Sequence, residues 1–478
     1  MPFPAPTVPG IRHQSHPTHT MKPLALLFSL ALSLPLHAAV KLPVIFSDHM
    51  VLQRGVEAPV WGWADKGEKV SVSFAGKTVT TTADKDGKWS VKLPKMEASA
   101  EPRELTVKGA NTIALKDVLV GDVWICSGQS NMEFQLKNSS KKIDEVLAAY
   151  KDNTQLRLFR IPKHIKLPQP AEDTVGSWST TADPQACLPF SGCGFFFGAK
   201  LQHELGIPIG LIDSNWGGTP VDQWISNKAA KEMLGMVRKE SIYNGMIAPL
   251  VPFAIKGVIW YQGESNRGNP FPAYFNKMKA LIAGWREDFQ VGDFPFYQVQ
   301  IAPFQYNRRK PGDDETLARN IWASQFKAAR EIKHCGVVPI HDTIHGVITN
   351  IHPWDKQPVG ERLALLALHN DYGKDVPHTG PGFDAAKAAA GGVVVSFRDI
   401  DQGLTTTDGK PPSCFELAGE DKVFVPAEAA IRGNTVVVRS DKLSAPKYVR
   451  MGWNETQVPN LADKNGWPAF QFGPKEVK

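Results

Sequence analysis

Along the first quarter of the chain, apolar and polar positions alternate in short runs separated by turns. Between Val40 and about Val118 the candidate strands are Val60–Trp63, Val70–Phe74, Thr78–Thr82, Trp89–Val91 and Leu105–Val107, with Asp84-Lys85-Asp86-Gly87 as a turn signal. A period of two at this spacing predicts a small antiparallel β-sandwich. Tryptophans in such strands mostly fill the core, and a sugar-stacking platform is the second reading.

The pattern changes near residue 119. Apolar runs at Val123–Cys126, Ile209–Ile212, Gly257–Tyr261, Phe296–Ile301 and Gly336–Ile340 alternate with helical periodicity at Phe195–Leu205, Tyr274–Trp285, Ile321–Ile332 and Val359–Asn370. That alternation predicts an α/β layer, a parallel sheet flanked by helices on both faces. From about residue 376 strand-like runs return at 392–397, 422–425, 435–438 and 448–453. The predicted organisation is therefore an upstream extension and leader at 1–39, a β-sandwich at 40–118, an α/β domain at 119–375 and a β-rich region at 376–478.

Composition refines this picture without redirecting it. A chain of 478 residues with 42% hydrophobic and 21% charged content is a globular protein of two or three domains. Residues 1–39 hold Arg12 and Lys22 and no acid, so removing these two charges from the formal +6 leaves +4. With no basic tract, that balance excludes a nucleic-acid-binding reading. Met21-Lys22-Pro23, the apolar Leu24–Leu36 and His37-Ala38-Ala39 have the layout of a secretory signal, which implies a secreted or periplasmic protein with no integral membrane segment after its removal. Five cysteines leave at least one thiol outside internal bridges, and Cys187 with Cys193 is the pair near enough in sequence to bridge. Cys126, in its apolar strand, reads as buried. His341 and His345 have metal-ligand spacing but no third ligand beside them, so neither a metal nor another cofactor is implied.

Ligands in parallel sheets bind at the carboxyl ends of the strands. Four of the five predicted strands run into loops with suitable chemistry: Ser127-Gly128-Gln129-Ser130-Asn131-Met132-Glu133, Asp213 to Thr219 with Gly217 and Gly218, Gln262 to Asn266, and Asp342 to His352. Ser130 is a candidate nucleophile, with a turn or helix-cap role as the alternative. Met132 replaces the second glycine of a Gly-x-Ser-x-Gly elbow, which argues against the α/β-hydrolase turn.

These same stretches, Ser127–Met132, Asn215–Thr219, Trp260–Asn266 and Ile351-His352-Pro353 with Lys356 and Gly360, resemble the sialate O-acetylesterase group of SGNH hydrolases. The likeness extends to Phe46–Gln53 and to the β-rich end. The resemblance implies an SGNH-like fold and a serine esterase that removes O-acetyl groups from a sugar or polysaccharide, such as sialic acid or xylan. It implies Ser130 as nucleophile, His352 as base, and an oxyanion site from the Ser130 amide, the Gly217-Gly218 loop and a side-chain amide. Gln262 is the first choice for that amide and Asn266 the second. Either could instead brace its loop, and Glu264 reads as tying that loop together.

The sequence departs from the family pattern in two places. Where relatives carry Asp two or three residues before the histidine, this chain has Asn350 and Thr349, leaving Asp342, a backbone carbonyl or Asn350 to orient His352. Asp342-Thr343-Ile344-His345 also spells Asp-x-x-His and offers His345 as a rival base. Where relatives have Arg-Glu-Ala-Gln, this chain has Trp322-Ala323-Ser324-Gln325, which removes an arginine for the sialate carboxylate unless Arg267 or Arg319 replaces it. A non-catalytic sugar-binding protein that retains the fold is the alternative reading.

Overall fold

The computed structural model describes residues 39–163, 166–306, 317–390 and 392–478. The expected leader lies outside these residues except for Ala39.

One strand organises the molecule. It runs from Thr112 to Gly128 (β1), and its burial alternates up to Asp117 and is then continuous from Val118 onward. Its first half pairs antiparallel with Ser99–Lys108 and its middle pairs parallel with Val51–Gln53. Its second half is the central strand of the parallel sheet. The expected boundary at residue 118 therefore falls inside β1. The shift from alternating to unbroken apolar residues marks where one strand passes from a half-exposed sheet into a doubly covered one.

The remaining strands of the parallel layer are Leu156–Arg160 (β2), Trp178–Thr180 (β3), Ile209–Asn215 (β4), Gly257–Tyr261 (β5), Phe296–Val299 (β6) and Cys335–Val338 (β7). Their order is β7-β6-β5-β1-β4-β2-β3, parallel throughout except for β3. Four helices cover its faces: Gly192–Leu205 (α1), Ala273–Phe289 (α2), Leu317–Glu331 (α3) and Gln357–Tyr372 (α4). On one face α1 and α4 bury Phe195, Phe197, Leu363 and Ala367 with Trp124. Their backbones approach closely at Gly360, where a Cβ would lie 2.5 Å from the Cys193 carbonyl oxygen. On the other face α2 and α3 bury Trp285, Ile321 and Trp322 with Trp260, in a core continuous with Val51, Val60 and Val72 of the N-terminal β layer.

That N-terminal layer has the expected strands. Ala58–Trp63 pairs with Lys88–Leu93, and Lys69–Phe74 with Lys77–Thr82 and Ser99–Lys108. Asp122 fastens it to the parallel layer by accepting hydrogen bonds from Arg54, Gln53 and Tyr372. The C-terminal region forms antiparallel sheets around Val393, Val395, Phe415, Val436, Val449 and Phe472. The strand expected at 422–425 reduces to Val425–Pro426, because Lys422 sits in a left-handed turn (φ 57°).

All five cysteines are free thiols, so the bridge considered for Cys187 and Cys193 is not formed; Cys126, Cys187 and Cys193 are buried. Among the described residues no helix is long and apolar enough to cross a membrane, and no group of His, Cys, Asp and Glu is arranged to hold a metal ion.

Candidate active site

The strand order brings the carboxyl ends of β1, β4 and β5 side by side. β1 turns out of the sheet at Gly128, whose φ of 140° is open to glycine and strained for other residues. A Cβ there would lie 2.2 Å from the Tyr261 carbonyl oxygen, which instead accepts a hydrogen bond from the Gln129 N–H. The chain then enters a single helical turn, Ser130–Glu133, with Ser130 half-buried at its start. Within it the Met132 and Glu133 N–H groups donate to the Gln129 carbonyl.

His352 reaches this turn from the loop after β7. Its Nε2 lies 2.8 Å from Ser130 Oγ. Burial lowers the imidazole pKa, the Lys356 cation lowers it further, and Glu133 opposes both. The ring is therefore neutral at neutral pH, the state in which Nε2 can accept the serine proton.

Several tethers hold the histidine loop in place. The His352 N–H donates to Asn350 Oδ1 at 3.0 Å. Asn131, next to Ser130, donates from Nδ2 to the Ile351 carbonyl at 3.0 Å and to Glu264 Oε1 at 2.6 Å, while its Oδ1 accepts from Lys356 Nζ at 2.6 Å. Lys356 is fully buried, which pulls its pKa down to about 7, and its ammonium lies over the Phe134 and Tyr261 rings. Burial raises the Glu264 pKa. Glu264 thus belongs to the support behind Ser130 and not to a substrate surface.

Asp342 does not sit beside the imidazole. Its two oxygens accept from Arg362 Nη1 and Nη2 at 2.7 and 2.6 Å. Burial works to raise its pKa, but the Arg362 hydrogen bonds and charge outweigh this and hold it low. The triad role considered for Asp342 is corrected accordingly: a bidentate arginine partner takes up both oxygens. Among the described residues no carboxylate hydrogen-bonds His352. His345, the rival base, is about half exposed, stacks on Trp354 and has its Nε2 3.5 Å from Asp355, away from Ser130.

The side-chain amides expected at the oxyanion site are committed elsewhere. Gln262 is fully buried; its Nε2 reaches Gln129 Oε1, the Thr219 carbonyl and Asn266 Oδ1, and its Oε1 accepts from Tyr274. Asn266 Nδ2 donates to Asp222, and its Oδ1 accepts from the Val221 N–H. Both brace the third loop against the second, as the bracing alternative anticipated. Gly217 does lie beside Ser130, where a Cβ would come 3.2 Å from that of the serine. Its N–H donates to Glu133 Oε2 at 2.6 Å, and Glu133 is also paired with Lys163. Gly218, with φ of 74°, turns the loop beside it.

Glu133 was not singled out in the sequence. Its placement three residues after Ser130 in a helical turn puts it on the same side as the serine, which is a weak signal. Its pairing with Gly217 is visible only in the fold.

Residues 120–352 match the model of a carbohydrate esterase family described as sialic acid-specific acetylesterase. The sialate O-acetylesterase of Homo sapiens is 32% identical over 396 residues, covering 70% of this chain and 72% of that protein. The Rattus norvegicus sialate O-acetylesterase is 31% identical over 418 residues, covering 70% and 74%. The crystal structure of a carbohydrate acetylesterase from Xanthomonas citri aligns with a TM-score of 0.83 at 36% identity, over 92% of this chain and all of that one.

Proposed function

The chain belongs to the sialate O-acetylesterase family and is a carboxylic ester hydrolase acting on acetylated carbohydrate, and from that premise we propose that it works through an acetyl-enzyme on Ser130. The observation that carries the proposal is the 2.8 Å contact between Ser130 Oγ and His352 Nε2. Oγ attacks the acetyl carbonyl as its proton passes to Nε2. The oxyanion that forms is met by the Ser130 amide, and by the Gly217 amide once the Glu133 carboxylate gives way. Collapse breaks the bond to the sugar oxygen, which takes the proton from His352. Water, deprotonated by the same nitrogen, then releases acetate and restores the serine.

The imidazole is oriented without a carboxylate. Asn350 and Asn131 hold the backbone of the His352 loop, and the ring itself stacks on Phe134, which makes the site a Ser-His dyad supported by Asn131 and Lys356. Trp322, standing where relatives commonly place arginine, is buried and donates to the Ile301 carbonyl at 2.8 Å. That position gives no cation for a sialate carboxylate, so we favour acetylated sugars whose recognition does not depend on one there. The apolar leader read at 21–39 supports export, and mass spectrometry of protein from the producing cells checks its removal.

Hydrolysis of p-nitrophenyl acetate tests the dyad. Ser130→Ala and His352→Ala are each expected to lower kcat by about 10³-fold or more, whereas His345→Ala retains most activity. Equal rates for wild type and Ser130→Ala would instead favour the non-catalytic sugar-binding reading. Acetate release from acetylated sialic acid, xylo-oligosaccharide and pectin then identifies the substrate.

A further inference from the structure

Helix α3 presents two different surfaces. Gln325 turns inward, with Nε2 at 2.8 Å from the Val299 carbonyl and 3.4 Å from that of Gln262. Phe326, Lys327 and Arg330 line a groove between this helix and the C-terminal sheets, with a volume of about 570 Å³, within the range of small-ligand clefts.

Its walls carry an unusual combination. Phe326, Phe383, Phe470 and Trp453 are only partly buried along it, and Phe271, just past the Gln262–Asn266 loop, is 48% exposed at its edge. Partly exposed aromatic rings along a cleft offer apolar faces on which a ligand ring can lie. Arg330, Arg398 and Lys475 converge on the same groove. Arg398 pairs with Asp399 at 3.2 Å, but among the described residues neither Arg330 nor Lys475 has an ion-pair partner. Burial lowers the Lys475 pKa, and the charges of Arg330 and Arg398 lower it further, so three cations crowd together against one carboxylate. The Lys475 ammonium lies 5.5 Å over the Phe383 ring.

We propose that this groove is a second carbohydrate site, taking a glycan that bears carboxylates: sugar faces lie on the phenylalanine rings and a carboxylate is held by Arg330, Arg398 and Lys475. Guanidinium groups suit a planar carboxylate, and a bound anion relieves the repulsion among the three cations. The choice of a glycan rests on the carbohydrate-esterase reading. Phe271, which follows the loop after β5, stands at one edge of the groove.

The test is titration calorimetry with the Ser130→Ala protein at low salt, using oligogalacturonate, a sialyl-oligosaccharide, a neutral xylo-oligosaccharide and a DNA oligonucleotide. At least one acidic sugar is expected to bind at least tenfold more tightly than the neutral one, and which acid it is separates uronate from sialate. Lys475→Gln and Arg330→Ala are each expected to weaken that binding severalfold, and together at least tenfold. In a Ser130 background both variants should hydrolyse p-nitrophenyl acetate at the wild-type rate, which shows that they fold. No binding by either acidic sugar, binding indifferent to both substitutions, or equal or tighter binding of DNA would overturn the proposal. Loss of esterase activity in the wild type would instead count against the catalytic reading, leaving the binding result to stand by itself.

Discussion

Two opposite charges flank His352, and their signs predict how its titration moves. The acidic limb of kcat/KM reports protonation of the free enzyme's base. Because the His352 pKa lies below its ordinary 6.5, that limb should fall below pH 6.5. Lys356, its own pKa pulled down to about 7, gains its charge as the pH falls into this range. Lys356→Met removes a cation that disfavours the imidazolium, so the limb should shift to higher pH. Glu133→Gln removes an anion that favours the imidazolium, so the limb should shift to lower pH. A purely structural role for either residue would lower the plateau and leave the limb in place. Asp342→Asn is the control: its carboxylate faces Arg362, so it should reduce stability by about 2 kcal/mol in urea unfolding with the limb unmoved.

Among the elements, the close approach of β1 to its parallel neighbour β5 at Gly128 is the tightest point of the site. Gly128→Ala would drive a Cβ into the Tyr261 carbonyl and force an alanine to a φ near 140°, so a loss of about 3 kcal/mol is expected together with lost turnover. Thermal and urea melts measure the first and acetate release the second. The predicted β5 coincides with the observed strand, because Gly257–Tyr261 is an unbroken apolar run between turn residues. The four long helices α1 to α4 were legible for a similar reason, whereas the shorter ones at Ile143–Tyr150, Asn227–Leu234 and Ile242–Met246 were not. β2 was not: Leu156–Arg160 reads as half-polar, and the buried Arg157 looks like a surface residue until Asp117, 40 positions earlier, closes on it at 2.8 Å. The same limit applied to the site. Ser130 and His352 stand in recognisable local motifs, but the commitment of Asp342 to Arg362, of Gln262 to its loop and of Glu133 to Gly217 depends on contacts that no local spacing encodes.

At the scale of the molecule, the N-terminal β layer and the parallel layer share both β1 and a continuous core. A fragment beginning at residue 119 would lose half of that strand's hydrogen bonds and the Arg54 and Gln53 partners of the buried Asp122. It is therefore expected not to fold, which circular dichroism and soluble yield would show. The free thiols give this architecture a built-in clock. Cys126 lies in β1, Cys193 in α1 and Cys187 just before it, and burial raises all three pKa values, suppressing the reactive thiolate while the protein is closed. A maleimide would therefore label them at the rate at which these elements part, so that mass accumulation at these three thiols over time reads the opening of the strand that leads to Ser130 without any introduced probe.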